Sequence, residues 1–356
     1  MRRIGVLTSG GDAPGMNAAV RAVVRTALYF GMSVVGVKRG YNGLLRLSPN
    51  ATDDFEELDL RKVGDIIHRG GTFLKTARCE EFLKIENQRR AIANLRTLSV
   101  EGLICIGGDG TFAGAGRLND MGFPTIGIPG TIDNDLPFSD MSIGYDTALN
   151  TICENINRIR ETSMSHDRIS IIEVMGRHCG DLALNSGLAC GAEVILMPEV
   201  PWSIEGVVNK IVTSIDKGKM TSIIVVAEGA WDSMAEFDME RFSDEMGIAL
   251  PPLMPDERFN SQLLARILQA ATGQETRATV LGYIQRGGSP SARDRILASR
   301  LGAHAVNLLK QDKGGLAVGV HNESVIDVPL ANVQDGAHVA DLELEKLINV
   351  MAVMTH

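Results

Sequence analysis

No CxxC pair exists among the five cysteines of this chain, Cys79, Cys105, Cys153, Cys179 and Cys190. Several stand beside glycine or inside apolar runs, so they read as reduced structural thiols rather than a metal or redox centre. The seven histidines show neither HxxxH nor HExxH spacing, which removes the common zinc patterns. After Met1-Arg2-Arg3 only a short apolar run precedes the polar SGGDAPG, so neither a signal peptide nor a membrane span is expected, and the chain reads as a soluble cytoplasmic protein. A positive surplus is missing too. The net charge of -9 argues against general nucleic-acid or anionic-membrane partners, so any phosphate site has to be built locally.

What the 356 residues do hold is 44% hydrophobic side chains, enough for sizeable cores in roughly two domains. Short apolar runs ending at polar or glycine positions alternate with amphipathic stretches: IGVLTS (4–9), SVVGVK (33–38), GLICIGG (102–108), PTIGIPG (124–130), ISIIEVMG (169–176), AEVILMPE (192–199) and TSIIVVAEG (221–229). Such runs predict strands, and helices fit between most of them, so the expected class is α/β with mostly parallel sheets. A helix from about Met16 to Phe30 carries Met16, Val20, Val23, Val24 and Ala27 on one face, with Arg21 and Arg25 on the other. Segment 231–258 breaks the rhythm. Its eight acidic residues, two arginines and three prolines predict a surface insertion with one short helix and no chemistry.

Three glycine turns follow predicted strands. LTSGGDAPGMN (7–17) runs from a strand into a helix, which points backbone amides at the sheet edge; it is neither a Walker loop nor GxGxxG, and a tight αβ turn explains it equally well. GGDGT (107–111) sets Asp109 between glycines, leaving no Cβ to hold a polyphosphate off the backbone. One carboxylate suits Mg²⁺, although an N-capping turn has the same residues. PGTIDND (129–135) places Asp133 and Asp135 after a third strand, where Asp133 is free to accept a proton from an attacking hydroxyl. Strand tips of open α/β sheets converge on one crevice. Arg78, Arg168, Arg177, Arg277 and Arg286 lie in polar or glycine-flanked contexts and supply candidate cations for a sugar phosphate.

In order along the chain, GVLTSGGDAPGMNAAVR, RGGTF, IGGDGT, PGTIDND, SHDRISIIEVMGR, CGAEVILMPE, ETRATVLGYIQRGGSP and DRILAS resemble the ATP-dependent 6-phosphofructokinases of bacterial type. The resemblance covers nearly everything outside 231–262. It implies two Rossmann-like three-layer α/β/α domains with the active site in the cleft between them. Residues 1–143 with 285–335 would bind ATP, and 144–284 with 336–356 would bind fructose 6-phosphate, with a surface insertion at about 231–262. The implied reaction phosphorylates the 1-hydroxyl of fructose 6-phosphate, the committing step of glycolysis, with Mg²⁺ as cofactor and ATP as co-substrate.

By the same resemblance, Asp133 is the general base, Asp109 the magnesium ligand, Thr131 and Arg177 stabilise the moving phosphoryl group, and Asp135 supports metal and loop. Gly11, Arg78, Cys79, Gly108, Asp109, Gly110 and Thr111 match ATP contacts. Thr131, Ile132, Asp133, Arg168, Met175, Gly176, Arg177, Glu228, Arg277, Tyr283 and Arg286 match contacts to fructose 6-phosphate. Arg168 and Arg277 reach into a neighbouring subunit in the family, so a homo-oligomer, usually a tetramer, is implied. Arg21, Arg25, Asp65, Arg160, Glu193, Lys217 and Lys219 match the effector pocket. Two positions depart from the pattern: Tyr283 stands where many members have His, and Leu60 where well-studied members have Arg.

Gly110 and Gly130 resemble the ATP-using branch, since pyrophosphate-using relatives typically carry Asp and Lys there. The alternatives are a pyrophosphate-dependent phosphofructokinase, or a catalytically silent homologue that senses nucleotide. NAD kinases and diacylglycerol kinases carry a motif similar to GGDGT but lack the arginine set and PGTIDND.

Overall fold

The computed structural model describes residues 1–47, 54–250, 252, 258–333 and 343. The chain divides into two compact units: Met1–Ala148 joined by the return segment that begins at Arg286, and Leu149–Gln285. Each has its own mostly parallel sheet with flanking helices, as the alternation of apolar runs and amphipathic stretches predicts. Parts of the anticipated insertion, residues 251 and 253–257, and the end of the chain from 334 except 343, lie outside the described residues.

In chain order the strands are β1 (Arg3–Thr8), β2 (Ser33–Val37), β3 (Phe55–Leu58), β4 (Gly102–Gly107), β5 (Thr125–Thr131), β6 (Ile143–Gly144), β7 (Ile169–Val174), β8 (Val194–Leu196), β9 (Ser222–Ala227), β10 (Thr276–Val280), β11 (Leu316–His321) and β12 (Ser324–Pro329). The first unit's sheet runs β12-β11-β5-β4-β1-β2-β3, with β6 beside β5; only the edge strands β3 and β12 pair antiparallel. The second runs β10-β7-β9-β8, all parallel.

All seven runs read as strands from sequence contain one. Some ends are trimmed where the backbone turns, as in ISIIEVMG, which stops at Val174 ahead of Gly176 at φ 123, while β1 starts one residue before its run and β5 ends one residue after its own. β1 and β4 are covered on both faces, which is why their sequences read as continuous apolar runs; Ile4, Val6, Leu103, Ile104 and Ile106 are all fully buried.

The helix Met16–Tyr29 buries its predicted face, and also Asn17, Ala18, Ala19 and Ala22. Ala19 and Ala22 face a second neighbour, the helix Ala292–Lys310, where a Cβ at Gly302 would lie 2.7 Å from the Ala22 Cβ and 3.0 Å from the Ala19 carbonyl oxygen. Asn17 is polar and buried because it pins RGGTF: its side-chain amide donates to the Arg69 carbonyl at 3.0 Å, and its oxygen accepts from Phe73 N at 2.8 Å.

The helix Ala292–Lys310 is anchored at its start. Ser291 caps it, and the fully buried Asp294 accepts from Gly144 N at 2.8 Å, Thr147 N at 2.9 Å and the Thr147 hydroxyl at 2.5 Å. Burial pushes the Asp294 carboxyl up, and the hydrogen bonds only partly offset it. The effect is to fix β6, whose partner in the sheet is Gly130–Thr131.

Candidate active site

The parallel register sets Thr8 beside Ile106 and Gly107 beside Pro129, so the carboxyl ends of β1, β4 and β5 share one edge of the first sheet. Ligands of open α/β sheets bind at that edge. The turns leaving β1 and β4 are tied together: Ser9 N donates to the Ile106 carbonyl at 3.0 Å, and the Thr111 hydroxyl donates to the Ser9 carbonyl at 3.2 Å. Gly107 permits the approach, since a Cβ there would lie 2.3 Å from Thr111 Oγ1 and 2.4 Å from the Ser9 oxygen. Gly11 seats an arginine in the same way. A Cβ on it would lie 2.7 Å from Nη1 of Arg286, which donates to the Asp12 carbonyl at 3.2 Å.

These turns line one cavity of about 430 Å³. Gly11, Gly108, Asp109, Gly110 and Thr111 border it together with Arg78 and Cys79, as do Thr131, Asp133, Asp135 and Arg286. Burial raises the Cys79 thiol, so it is a neutral wall rather than a nucleophile. Gly110 contributes space: a Cβ there would meet nothing within 4 Å.

The loop after β5 is shaped by the residue between the two carboxylates. Asn134 takes a left-handed φ of 55, and its side-chain oxygen accepts from Ser142 N at 2.9 Å. Ser142 in turn donates its hydroxyl to the Thr131 carbonyl at 2.7 Å, while the Thr131 hydroxyl accepts from Asp133 N at 3.2 Å. Asn134 and Ser142 therefore build the turn, and Asp133 and Asp135 line the cavity. Ile132, matched to substrate contact from the sequence, is fully buried and is not among the lining residues. Gly130 borders the cavity with its backbone only. A Cβ there would point into the core, 3.0 Å from Ile106 and 3.2 Å from Met16.

Sequence reasoning missed a lining group: Tyr41, Phe82, Leu83 and Arg117. Tyr41 and Phe82 stack with ring centroids 4.2 Å apart, and the Tyr41 hydroxyl donates to the Thr111 carbonyl at 2.5 Å. Both rings are buried in the core of the first unit, so the stack forms a wall behind the cavity and not an open platform. The available signal was scarcity, since Tyr41 is one of only four tyrosines.

The second unit has its own polar edge. β7 and β9 end side by side, Val174 opposite Ala227, and Glu228 N donates to the Val174 carbonyl at 2.9 Å. The chain leaves β7 through Met175, whose N–H donates to Gln285 Oε1 at 3.0 Å, and then Gly176 and Arg177. Arg177 and Glu228 line a hollow of about 660 Å³ with Trp231, Asp232, Met234, Arg258 and Phe259. Both ends of 231–258, the segment read from sequence as a surface insertion, border that hollow. The segment also forms a 3₁₀ turn, Ala230–Ser233, and a helix, Met239–Met246; Trp202 holds the former by donating Nε1 to the Ala230 carbonyl at 2.8 Å.

The phosphofructokinase family model matches residues 3–309. The chain belongs to the phosphofructokinase family. It is 48% identical to the ATP-dependent 6-phosphofructokinase of Halalkalibacterium halodurans, over 99% of this chain and 100% of that protein. It is 49% identical to that of Shouchella clausii with the same coverage. Among solved structures, phosphofructokinase from Saccharomyces cerevisiae superposes with a TM-score of 0.77 at 33% identity, over 98% of this chain and 46% of the yeast chain.

Other positions matched to this phosphofructokinase pattern are dispersed. Arg168 and Arg277 stand at the amino-terminal edge of the second sheet, opposite the edge that carries Arg177 and Glu228. Tyr283 is 84% exposed in the turn Gly282–Arg286. Of the effector set, Arg21 and Arg25 lie on the helix Met16–Tyr29, and the exposed Asp65 pairs with Arg69 at 3.3 Å. In the second unit Arg160 donates to the Cys190 carbonyl, Lys219 pairs with the buried Glu193, and Lys217 caps the helix Ile204–Asp216. Leu60 is half exposed.

Proposed function

We propose that the protein transfers the γ-phosphoryl group of ATP to the 1-hydroxyl of D-fructose 6-phosphate, giving fructose 1,6-bisphosphate and ADP. The observation that carries this reading is the convergence of Asp109, Thr131, Asp133 and Asp135 with two glycine turns on one cavity. The full-length identity to ATP-dependent 6-phosphofructokinases points the same way.

In this reading Asp133 takes the proton from the sugar 1-hydroxyl as its oxygen attacks phosphorus. Thr131 and Arg177 offer donors to the equatorial oxygens, where negative charge accumulates. Backbone amides of the turns at Gly11 and Gly108–Thr111 hold the phosphates, with the buried Tyr41–Phe82 stack walling the nucleotide side of the cavity. Arg78 and Cys79 complete the nucleotide side, and Asp135 orients the loop. Met175, Gly176, Arg177, Glu228 and Arg286 bind the sugar phosphate, with Tyr283 in place of the frequent histidine; Ile132 contributes through its backbone.

The lining carboxylates fit a magnesium ion of the phosphate-bound kind. Among the described residues no three His, Cys, Asp or Glu cluster into a protein-only metal cage. Magnesium keeps several waters and takes one or two carboxylates with phosphate oxygens, and Asp109 is our assigned ligand. When bound it would offset charge on the transferred group.

We assign the first unit to ATP and the second to fructose 6-phosphate. A homo-oligomer follows from Arg168 and Arg277 facing away from Arg177 and Glu228: if both pairs meet substrate, one pair serves another copy. We place the enzyme in the cytoplasm; among the described residues no helix is long and apolar enough to cross a membrane. Arg21, Arg25, Asp65, Arg160, Glu193, Lys217 and Lys219 form our proposed effector site. A coupled assay with ATP and pyrophosphate side by side tests the reading. Bisphosphate formation from ATP with Mg²⁺ is expected, and turnover only with pyrophosphate, or with neither donor, overturns it.

A further inference from the structure

The register of β7 and β10 places two arginines and one carboxylate at a single corner of the second sheet. Thr276 pairs with Ile169 and Arg277 with Ser170, and Ile169 N donates to the Glu275 carbonyl at 3.0 Å. The residues that lead into the two strands, Arg168 and Glu275, are therefore neighbours by backbone geometry. The turn before Arg168 is also fixed. Asp167 adopts a left-handed φ of 51, Arg168 N donates to the Ser163 carbonyl at 3.0 Å, and the Gln274 side-chain amide donates to the Asp167 carbonyl at 2.8 Å.

On this frame Glu275 divides its two oxygens. Oε2 lies 2.8 Å from Arg168 Nε, and Oε1 lies 2.9 Å from Arg277 Nε and 2.6 Å from its Nη2. Arg168, and after it Arg277, hold the Glu275 carboxyl below its ordinary range, so the carboxylate is charged at neutral pH. Two guanidiniums at this spacing repel one another, and one shared carboxylate offsets that repulsion while ordering both. Neither Nη group of Arg168, nor Nη1 of Arg277, forms another ion pair among the described residues.

We propose that Glu275 is a positioning residue that pre-assembles Arg168 and Arg277 as one dicationic clamp for the phosphate of the sugar substrate. The proposal rests on reading those arginines as fructose 6-phosphate contacts. Without Glu275 the incoming phosphate would have to gather two long, mobile, mutually repelling side chains. Each such side chain immobilised on binding weakens affinity by a factor of several to about ten.

The test is steady-state kinetics of the full-length enzyme with Glu275→Gln, which keeps size and shape. KM for fructose 6-phosphate is expected to rise about tenfold, with KM for ATP and kcat within about twofold. In an Arg168→Ala/Arg277→Ala background, adding Glu275→Gln should change KM no further, whereas a merely structural residue would add its own loss. Should Glu275→Gln fold poorly, Glu275→Asp retains the charge, and its KM must stay closer to wild type than that of Glu275→Ala. An unchanged or lowered KM in Glu275→Gln, or an additive loss in the arginine-free background, overturns the proposal. Wild-type turnover alongside an unaffected variant removes Glu275 alone; absence of wild-type turnover of fructose 6-phosphate removes the function and the clamp together.

Discussion

The Thr111 hydroxyl donates to the Ser9 carbonyl at 3.2 Å, and this one bond joins the glycine turn after β1 to the glycine turn after β4. Both turns line the cavity, so their spacing sets the width of the proposed phosphate cradle.

Thr111→Val keeps the shape of the side chain and deletes the bond. Thr111 is 3% exposed, so the Ser9 carbonyl loses a partner that water cannot easily replace. A stability loss of about 1 kcal/mol and a KM for ATP raised about tenfold are expected. Chemical denaturation and ATP titration check the two parts; a KM equal to wild type would show that the tie does not shape the cradle.

Asp133→Asn is expected to lower kcat by at least about 10²-fold, the usual cost of losing a general base. The turn itself depends on Asn134 and Ser142, so the melting temperature should hold. Near-normal kcat in this variant would remove Asp133 from the role.

Gly110→Asp separates nucleotide room from folding. A Cβ at Gly110 touches nothing, so the melting temperature should stay within about 2 °C, while ATP turnover drops at least about tenfold because the carboxylate enters the cavity and repels phosphate. Full ATP activity in a folded Gly110→Asp enzyme would contradict this use of the cavity.

Asp294 yields a pH signature. Its folded value is raised by burial above the ordinary 3.8, so the folded state holds the proton more tightly than the unfolded chain. The resulting stability is fully present below about pH 4 and is lost as pH rises through the raised value. Asp294→Asn has no such proton, so the melting-temperature gap between wild type and variant should narrow as pH rises above about 4. A gap that widens instead would mean the hydrogen bonds from Gly144 and Thr147 outweigh burial. Asp294→Ala strands those donors at every pH and should cost about 3 kcal/mol.

The central strands were legible because β1, β4 and β5 are buried on both faces, so a continuous apolar run marks each of them. β12 was not. SVIDVP lies at a half-exposed edge, where little burial constrains the side chains. The loop that brings Thr131, Asp133 and Asp135 to the cavity was legible because these residues sit within seven consecutive positions, PGTIDND. The Tyr41–Phe82 stack was not, since its members lie about forty positions apart in short turns, and only the fold unites them. Trp231 and Arg258 were not paired in the sequence because 27 positions separate them, and only the fold brings both to one hollow. Glu275 opens ETRATV, but its proposed role depends on strand register, which the order of residues along one strand does not reveal.

The unequal surroundings of Gly110 and Gly130 bear on how this scaffold could change its phosphoryl donor over generations. A side chain at Gly110 enters open space, so a first mutation there is structurally free. One at Gly130 starts between Ile106 and Met16, so a lysine there needs those two buried neighbours to yield as well. A lineage drifting toward pyrophosphate would then pass through Gly110 first, losing the nucleotide before gaining the new charge. That ordering makes the intermediate unfit with either donor, and it would hold the chain to ATP by history as much as by chemistry.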